Sequence, residues 1–186
     1  MKKRIALLYG DPAGAGPDRL ASFLKEHHTE FTPVIVGNEP VYTASLSRIV
    51  PDLIDRFPVY TVPIGKVVRG EPDRESGEAL IAAMKMAEEL AVHRRVDAIA
   101  VTSVDYAALQ AADARIKDAG GFLSVLFPDT SFSQSFYLVS GGVTLFRGLA
   151  CPVLFDSAPS DPRSAGKNTA DPTPLCDVLT VIETQL

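Results

Sequence analysis

Cysteine is scarce in this 186-residue sequence: Cys151 and Cys176 are the two present, too few and too irregularly placed for a disulfide framework or a cysteine-based zinc site. Both read as buried thiols. Histidine is nearly as rare. His27 and His28 are adjacent beside the first predicted helix, and His93 stands at a helix end next to Arg94 and Arg95, where a favourable contact with the helix dipole accounts for it. A metal centre with three protein ligands needs convergent donors, and these three do not converge, so no metal ligand is assigned. Positive charge is in deficit, with 18 Lys and Arg against 23 Asp and Glu and a formal net charge of -5. Neither nucleic acid nor a membrane surface is therefore expected as a partner. Long apolar runs are missing as well. Lys2, Lys3 and Arg4 precede only the short run Ile5 to Tyr9, which stops at Gly10-Asp11-Pro12. That is too short for a signal peptide or a membrane span, and a cytoplasmic location is expected. No Gly-x-Ser-x-Gly elbow presents a nucleophile, and there is no internal repeat or coiled-coil pattern.

What is there is an ordinary globular composition, 46% hydrophobic and 22% charged, of a length suited to one α/β domain over 1–186. Residues 5–9 form an apolar run ended by glycine and proline, which predicts a buried parallel strand. Pro17 suits a first helical turn, and Leu20, Phe23 and Leu24 carry the helix to about residue 27. Residues 33–36 are a second buried strand before a Gly37-Asn38 turn, 42–49 a helix, and 59–62 a further strand. The longest helix is predicted over 75–94, capped by Ser76. Leu80, Met84, Ala87 and Ala91 form its inner face, and Lys85, Glu88 and Glu89 face water. A central strand at 96–101, a helix at 105–119 and a strand at 122–127 follow. One or two strands are expected within 143–155, then an exposed loop over about 156–172 rich in Ser, Pro, Asp and Gly, and a closing helix at 174–186. The alternation predicts a three-layer α/β/α sandwich around a mostly parallel sheet. Ligands in such sheets sit beyond the carboxyl ends of the strands, which puts the loops after Tyr9, Val101 and Phe127 on the functional edge.

The segment Gly10-Asp11-Pro12-Ala13-Gly14-Ala15-Gly16-Pro17-Asp18 joins a strand to a helix, and its glycines allow backbone N–H groups to approach a ligand. It is not a Walker loop, lacking the Gly-Lys-Ser/Thr ending. Nor is it a dinucleotide fingerprint, because Arg19 stands where the third glycine would fall. Asp11 and Asp18 would themselves occupy the positive end of the helix. That favours a hydroxylated ligand or a cation over a phosphate. The alternative is a tight structural turn in which Asp18 merely complements the dipole.

GDPAGAGPD at this position resembles the 4-hydroxythreonine-4-phosphate dehydrogenase family, whose opening strand runs into GDPAGIGPE. Pro33-Val34-Ile35-Val36-Gly37-Asn38 is similar to the family's second strand. Glu75-Ser76-Gly77, with Val96-Asp97-Ala98-Ile99, is similar to its long helix and following strand. The family continues with T-A-P-I-N-K, whereas this chain has Thr102-Ser103-Val104-Asp105-Tyr106-Ala107. The G-H-T-E substrate motif has no counterpart, and His28-Thr29-Glu30 falls in the wrong place to serve. Leu126-Phe127-Pro128-Asp129-Thr130 looks like the family's M-Y-H-D-Q, with proline where the family has a metal-ligand histidine. Ala165-Gly166-Lys167-Asn168-Thr169-Ala170-Asp171 looks like its closing A-G-x-G-x-A-D.

The resemblance implies one lobe of an isocitrate/isopropylmalate dehydrogenase-like fold, with the inserted second lobe and its metal-binding histidines missing. The ligand-binding candidates are Asp11, Gly14, Gly16, Asp18, Thr102 and Asp129. Metal-assisted oxidation of an alcohol needs a metal, an aligned nicotinamide and exclusion of water. The leading expectation is accordingly a pseudoenzyme, with no cofactor, that binds a small polar or phosphorylated ligand or a partner through 10–18. NAD and a divalent metal belong only to a second expectation, an active oxidoreductase on a phosphorylated hydroxy acid whose site is completed by another subunit. The family dimerises, so a homodimer or a partner protein is implied. A third expectation is an enzyme of another class, such as an isomerase using two aspartates.

Overall fold

The structure, a computed structural model, describes residues 2–26 and 31–185; His27 and His28 lie outside them. The elements follow in the order β1 (Arg4–Leu8), α1 (Gly16–Glu26), β2 (Thr32–Gly37), α2 (Glu39–Ile49), β3 (Val59–Thr61), α3 (Arg74–Val92), β4 (Ala98–Val101), α4 (Tyr106–Ala112), α5 (Ala119–Leu126), β5 (Ser133–Leu138), β6 (Gly142–Arg147), β7 (Val153–Asp156) and α6 (Thr173–Gln185). One seven-stranded sheet has the order β3-β2-β1-β4-β7-β6-β5. Its first five strands run parallel, and β6 and β5 are antiparallel additions.

Alternation along the central strands divides the core into two layers, as the two-residue period of a strand requires. Ala6 and Leu8 of β1, with Ile99 and Val101 of β4, pack towards α3, α4 and α5. Ile5 and Leu7, with Ala98 and Ala100, pack towards α1, α2 and α6. The fold is thus the α/β/α sandwich expected. No helix among the described residues is long and apolar enough to cross a membrane.

Several expected elements are corrected. Ser76 does not cap α3. Asp73 does, its carboxylate accepting the Ser76 amide at 2.9 Å, while the Ser76 hydroxyl accepts the Asp73 amide at 3.0 Å. This reciprocal box moves the start of the helix upstream. Glu88 is half-buried rather than solvated and accepts the Ala150 amide at 3.1 Å. Asn38 is not a turn residue but the cap of α2, which starts three residues before the expected Tyr42.

The helix expected over 105–119 ends at Ala112, where Asp113 becomes extended. Asp118 then caps a new helix, accepting the Gly121 amide at 2.7 Å. Of residues 122–127, expected as a strand, 122–126 therefore belong to α5 and Phe127 ends it. A short apolar run fits either state, and here the carboxylate cap selects the helix. Strand β5, which no apolar alternation announces, exists because it pairs with β6 from Ser133↔Arg147 to Leu138↔Gly142. Cys151 is buried, as expected, and Cys176 is half-buried.

Residues 156–172 are irregular apart from a 3-10 turn at Pro162–Ser164. They are not simply an exposed loop, since Ser160 and Ala170 are buried. The segment lies against the turn after β1, which decides what that turn can do.

Asp73→Ala is expected to destabilise the protein by about 1 kcal/mol, the usual worth of a helix cap. Urea unfolding measures it. No loss of stability would show that α3 is capped from elsewhere.

Candidate functional site

The glycine-containing turn after β1 is sealed inside the protein, with residues 9–24 buried throughout. Four of its amides are already engaged. Asp11 N donates to Ser103 O (3.2 Å), Gly14 N to Asp11 O (3.1 Å) and Ala15 N to Ser160 O (2.8 Å), and Ala13 N donates to Asp11 Oδ1 (2.9 Å). Gly14 and Gly16 serve packing. A Cβ on Gly16 would lie 1.7 Å from Tyr9 O, and one on Gly14 would lie 2.8 Å from Ser160 O. The amides of Asp11, Ala13, Gly14 and Ala15, which could otherwise face a ligand, are thus spent on the protein.

Asp18 is fully buried and has a structural set of partners. Ser45 Oγ donates to it at 2.7 Å and Gly166 N at 2.6 Å. Arg69 Nη2 lies 3.0 Å away, and Arg48 forms a second ion pair. A buried carboxylate held by two guanidinium groups, a hydroxyl and an amide meets the requirement that buried charge be paired and hydrogen-bonded.

Thr102 and Ser103 follow β4 and meet the end of β7. Thr102 Oγ1 donates to Asp156 Oδ2, while Asp156 Oδ1 accepts from the amides of Ser103 (3.3 Å) and Ala158 (3.2 Å). Burial pushes the Asp156 carboxyl above the usual carboxylate range, and the Thr102 bond and Arg19 act in the other direction. Arg19 is itself buried, donating to Ser103 Oγ and, through Nε, to Asp171 O at 2.8 Å. Two residues beyond Ser103, Asp105 caps α4 and accepts the Ser160 hydroxyl at 2.7 Å. Asp11 sits behind this group. It is 1% exposed, and its Oδ2 has no hydrogen-bond partner. Burial raises its carboxyl to about 6, opposed by the Ala13 amide and assisted by the charge of Asp105.

The open space lies on the other side of Asp105 and Asp156. A cleft of about 650 Å³ runs between the β4–α4 turn, the start of α5, the β5–β6 hairpin and the segment after β7. Asp105, Asp118 and Asp156 line it together with Tyr106, Phe146 and Phe155, and no Lys, Arg or His does. The Tyr106 hydroxyl is pushed up to about 12, first by burial and then by the charges of Asp118 and Asp156. Phe146 and Phe155 are almost wholly buried behind the cleft, so Tyr106 is the ring at its surface, and the field there is negative.

No family model matches the sequence, and no curated protein does. Solved structures do. A 4-hydroxythreonine-4-phosphate dehydrogenase from Klebsiella pneumoniae superposes with a TM-score of 0.81 at 13% identity, over 97% of this chain and 97% of that one. One from Burkholderia phymatum does so with 0.78 at 12% identity, over 96% and 97%. The chain has the 4-hydroxythreonine-4-phosphate dehydrogenase fold. At this identity the likeness carries architecture, and the chemistry rests on the residues present. Coverage of the solved chains this complete lends no weight to the expected loss of a lobe, which rests on the missing motifs.

Within this dehydrogenase-like fold, the sequence-derived candidates separate. Asp11 and Thr102 lie at the rear of the cleft wall, Gly14 and Gly16 pack against backbone, and Asp18 is locked in ion pairs. Asp129 does not join them. It is exposed and follows α5, not a strand, so the loop after Phe127 is not on the strand-end edge. His93 closes α3, its Nδ1 2.8 Å from Glu89 O. Asp105, Asp118 and Asp156 were missed because each looks like a loop or cap residue in sequence.

The metal and nicotinamide implied by the resemblance do not fit these residues. Among the described residues no three His, Cys, Asp or Glu side chains are grouped to hold a metal. A pyrophosphate would meet spent amides in the turn and carboxylates in the cleft.

A raised Asp11 carboxyl favours the folded state in its protonated form. That contribution is fully present below the ordinary value of 3.8 and is lost as pH rises through about 6. Asp11→Asn should therefore exceed the wild type in stability by about 2 kcal/mol above pH ~7 and match it below pH ~4. Urea unfolding across that range tests this, and a wild-type advantage above pH ~7 would contradict it.

Proposed function

We propose that this chain is a 4-hydroxythreonine-4-phosphate dehydrogenase-like protein of one lobe, without dehydrogenase activity, that binds a small organic cation. The observation that carries the proposal is the lining of the cleft: carboxylates of Asp105, Asp118 and Asp156 beside the half-buried ring of Tyr106, with no basic side chain. Carboxylates attract an ammonium group, and aromatic faces favour a cation over a neutral or anionic head. Arg19 offsets part of the Asp156 charge from behind, leaving Asp105 and Asp118 as the principal anions. A phosphorylated ligand is disfavoured by the same field. This shifts the ligand from the turn at Gly10 to Asp18, where the sequence pointed, to its neighbour.

A second reading, an active NAD-dependent oxidoreductase completed by another subunit, draws on the position of the cleft at the free edge strand β5, whose Gln134 lines it. One assay separates the two. With 4-hydroxythreonine 4-phosphate, NAD and a divalent metal, the purified protein should form no NADH, and steady turnover would defeat our proposal. Arylalkyl amines should raise the melting temperature in proportion to their concentration, as any binder of the native state does, whereas phosphorylated hydroxy acids should not. Asp118→Asn keeps a competent cap for α5 while removing a charge, and is expected to weaken amine binding by about tenfold. An unchanged affinity would move the ligand out of this cleft.

A further inference from the structure

The two edges of the sheet differ in how well they are guarded. At one edge, β3 is three residues long, with Pro58 before it and Pro63 soon after, and both short length and proline keep a sheet edge from pairing with another chain. At the other, β5 is six residues long, and no charged residue or proline occurs from Thr130 to Phe146. Its large apolar side chains stand in the open: Leu138 is 82% exposed and Phe136 62%. Gln134, Phe136 and Leu138 share one face of the strand, opposite Phe146, Thr144 and Gly142 of β6. Gln134 and Thr144 line the acidic cleft, so this one face runs from the cleft at Gln134 to an apolar rim at Phe136 and Leu138.

We propose that β5 receives an extended segment of a different protein, which joins the sheet as a further strand and inserts a lysine or arginine side chain into the cleft, a placement that rests on the cation preference proposed above. Strand addition draws its affinity from main-chain hydrogen bonds and its selectivity from alternate side chains. An added strand lies roughly 5 Å beyond β5, and the side chains on its cleft face stand beside Gln134, Phe136 and Leu138. A basic side chain beside Gln134 meets the field of Asp105, Asp118 and Asp156, and a charge-assisted bond to a carboxylate is among the stronger polar contacts. Apolar side chains at the other two positions cover Phe136 and Leu138. Antiparallel pairing is the more stable arrangement, so the segment reads apolar-x-apolar-x-basic from its N-terminal end. A second copy of this chain does not supply that pattern through its own β5, which has no basic residue.

Fluorescence anisotropy with the full chain and a labelled peptide, Thr-Val-Thr-Val-Thr-Lys-Thr, tests this. The peptide should bind at least about tenfold more tightly than an arylalkyl amine, and replacing its lysine by uncharged norleucine should weaken it by about tenfold. Methylating one alternate set of its backbone nitrogens should abolish binding, because those amides pair with β5, while methylating the other set should not. Leu138→Lys alters an exposed side chain outside the cleft, so it should weaken the peptide by about tenfold and leave amine binding and circular dichroism unchanged. In hydrogen exchange, β5 amides should gain protection when the peptide is added. If the amine binds and the peptide binds no better, strand addition is wrong and the cation reading of the cleft stands; if neither binds, the cation reading fails and takes this proposal with it. Peptide binding indifferent to the lysine or to both methylations, or β5 amides protected without peptide because copies of the chain self-associate in sedimentation, would also overturn it.

Discussion

A carboxylate with no access to water holds four separated parts of this protein together. Asp18, in the first turn of α1, takes hydrogen bonds or ion pairs from Ser45 and Arg48 of α2, from Arg69 ahead of α3, and from Gly166 in the segment before α6. Removing that charge from water is costly, and the cost is met only if all of these groups arrive. Their arrival draws residues 156–172 down onto the turn after β1, where Ser160 takes the Ala15 amide and Asp171 takes Arg19. The strand-end edge of the sheet is shaped by this closure.

The closure changes which part of a familiar architecture is available for binding. A glycine turn between a strand and a helix normally offers free amides, but here each described amide from Asp11 to Ala15 that can donate has a partner within the chain. The field at the strand ends is set instead by carboxylates, and Arg19 counters one of them from the buried side. The backbone plan is that of the solved 4-hydroxythreonine-4-phosphate dehydrogenases, and the charged side chains that line the cleft of this chain are all carboxylates.

Much of the fold was legible because its central strands are apolar runs punctuated by glycine and proline, and because α3 repeats its inner face with a helical period. The errors share a cause. Residues 122–127 are apolar in a run too short to fix a period, and the deciding signal was Asp118 four residues earlier, which reads in sequence as one more loop aspartate. Strand β5 is mostly exposed and carries no alternating apolar pattern, so only its partner β6 reveals it. For the site, the sequence drew attention to GDPAGAGPD, and that segment is indeed at the strand ends. Its burial depends on Ser160, Gly166 and Asp171, which no local pattern links to it. Thr102 was found and Asp156 was not, although the two are hydrogen-bonded, because their proximity is a property of the β4–β7 pairing.

The tie between Asp18 and Gly166 spans 148 residues of sequence, and that between Arg19 and Asp171 spans 152. Contacts so distant along the chain carry a large loop-closure entropy and form late. During synthesis, β1 and α1 leave the ribosome long before the segment that will satisfy them. Until then Asp18 and Arg19 must stay hydrated, so the strand-end edge of the nascent sheet is open to water, to chaperones and to proteases. Residues 160–171 act as the clasp that closes that edge.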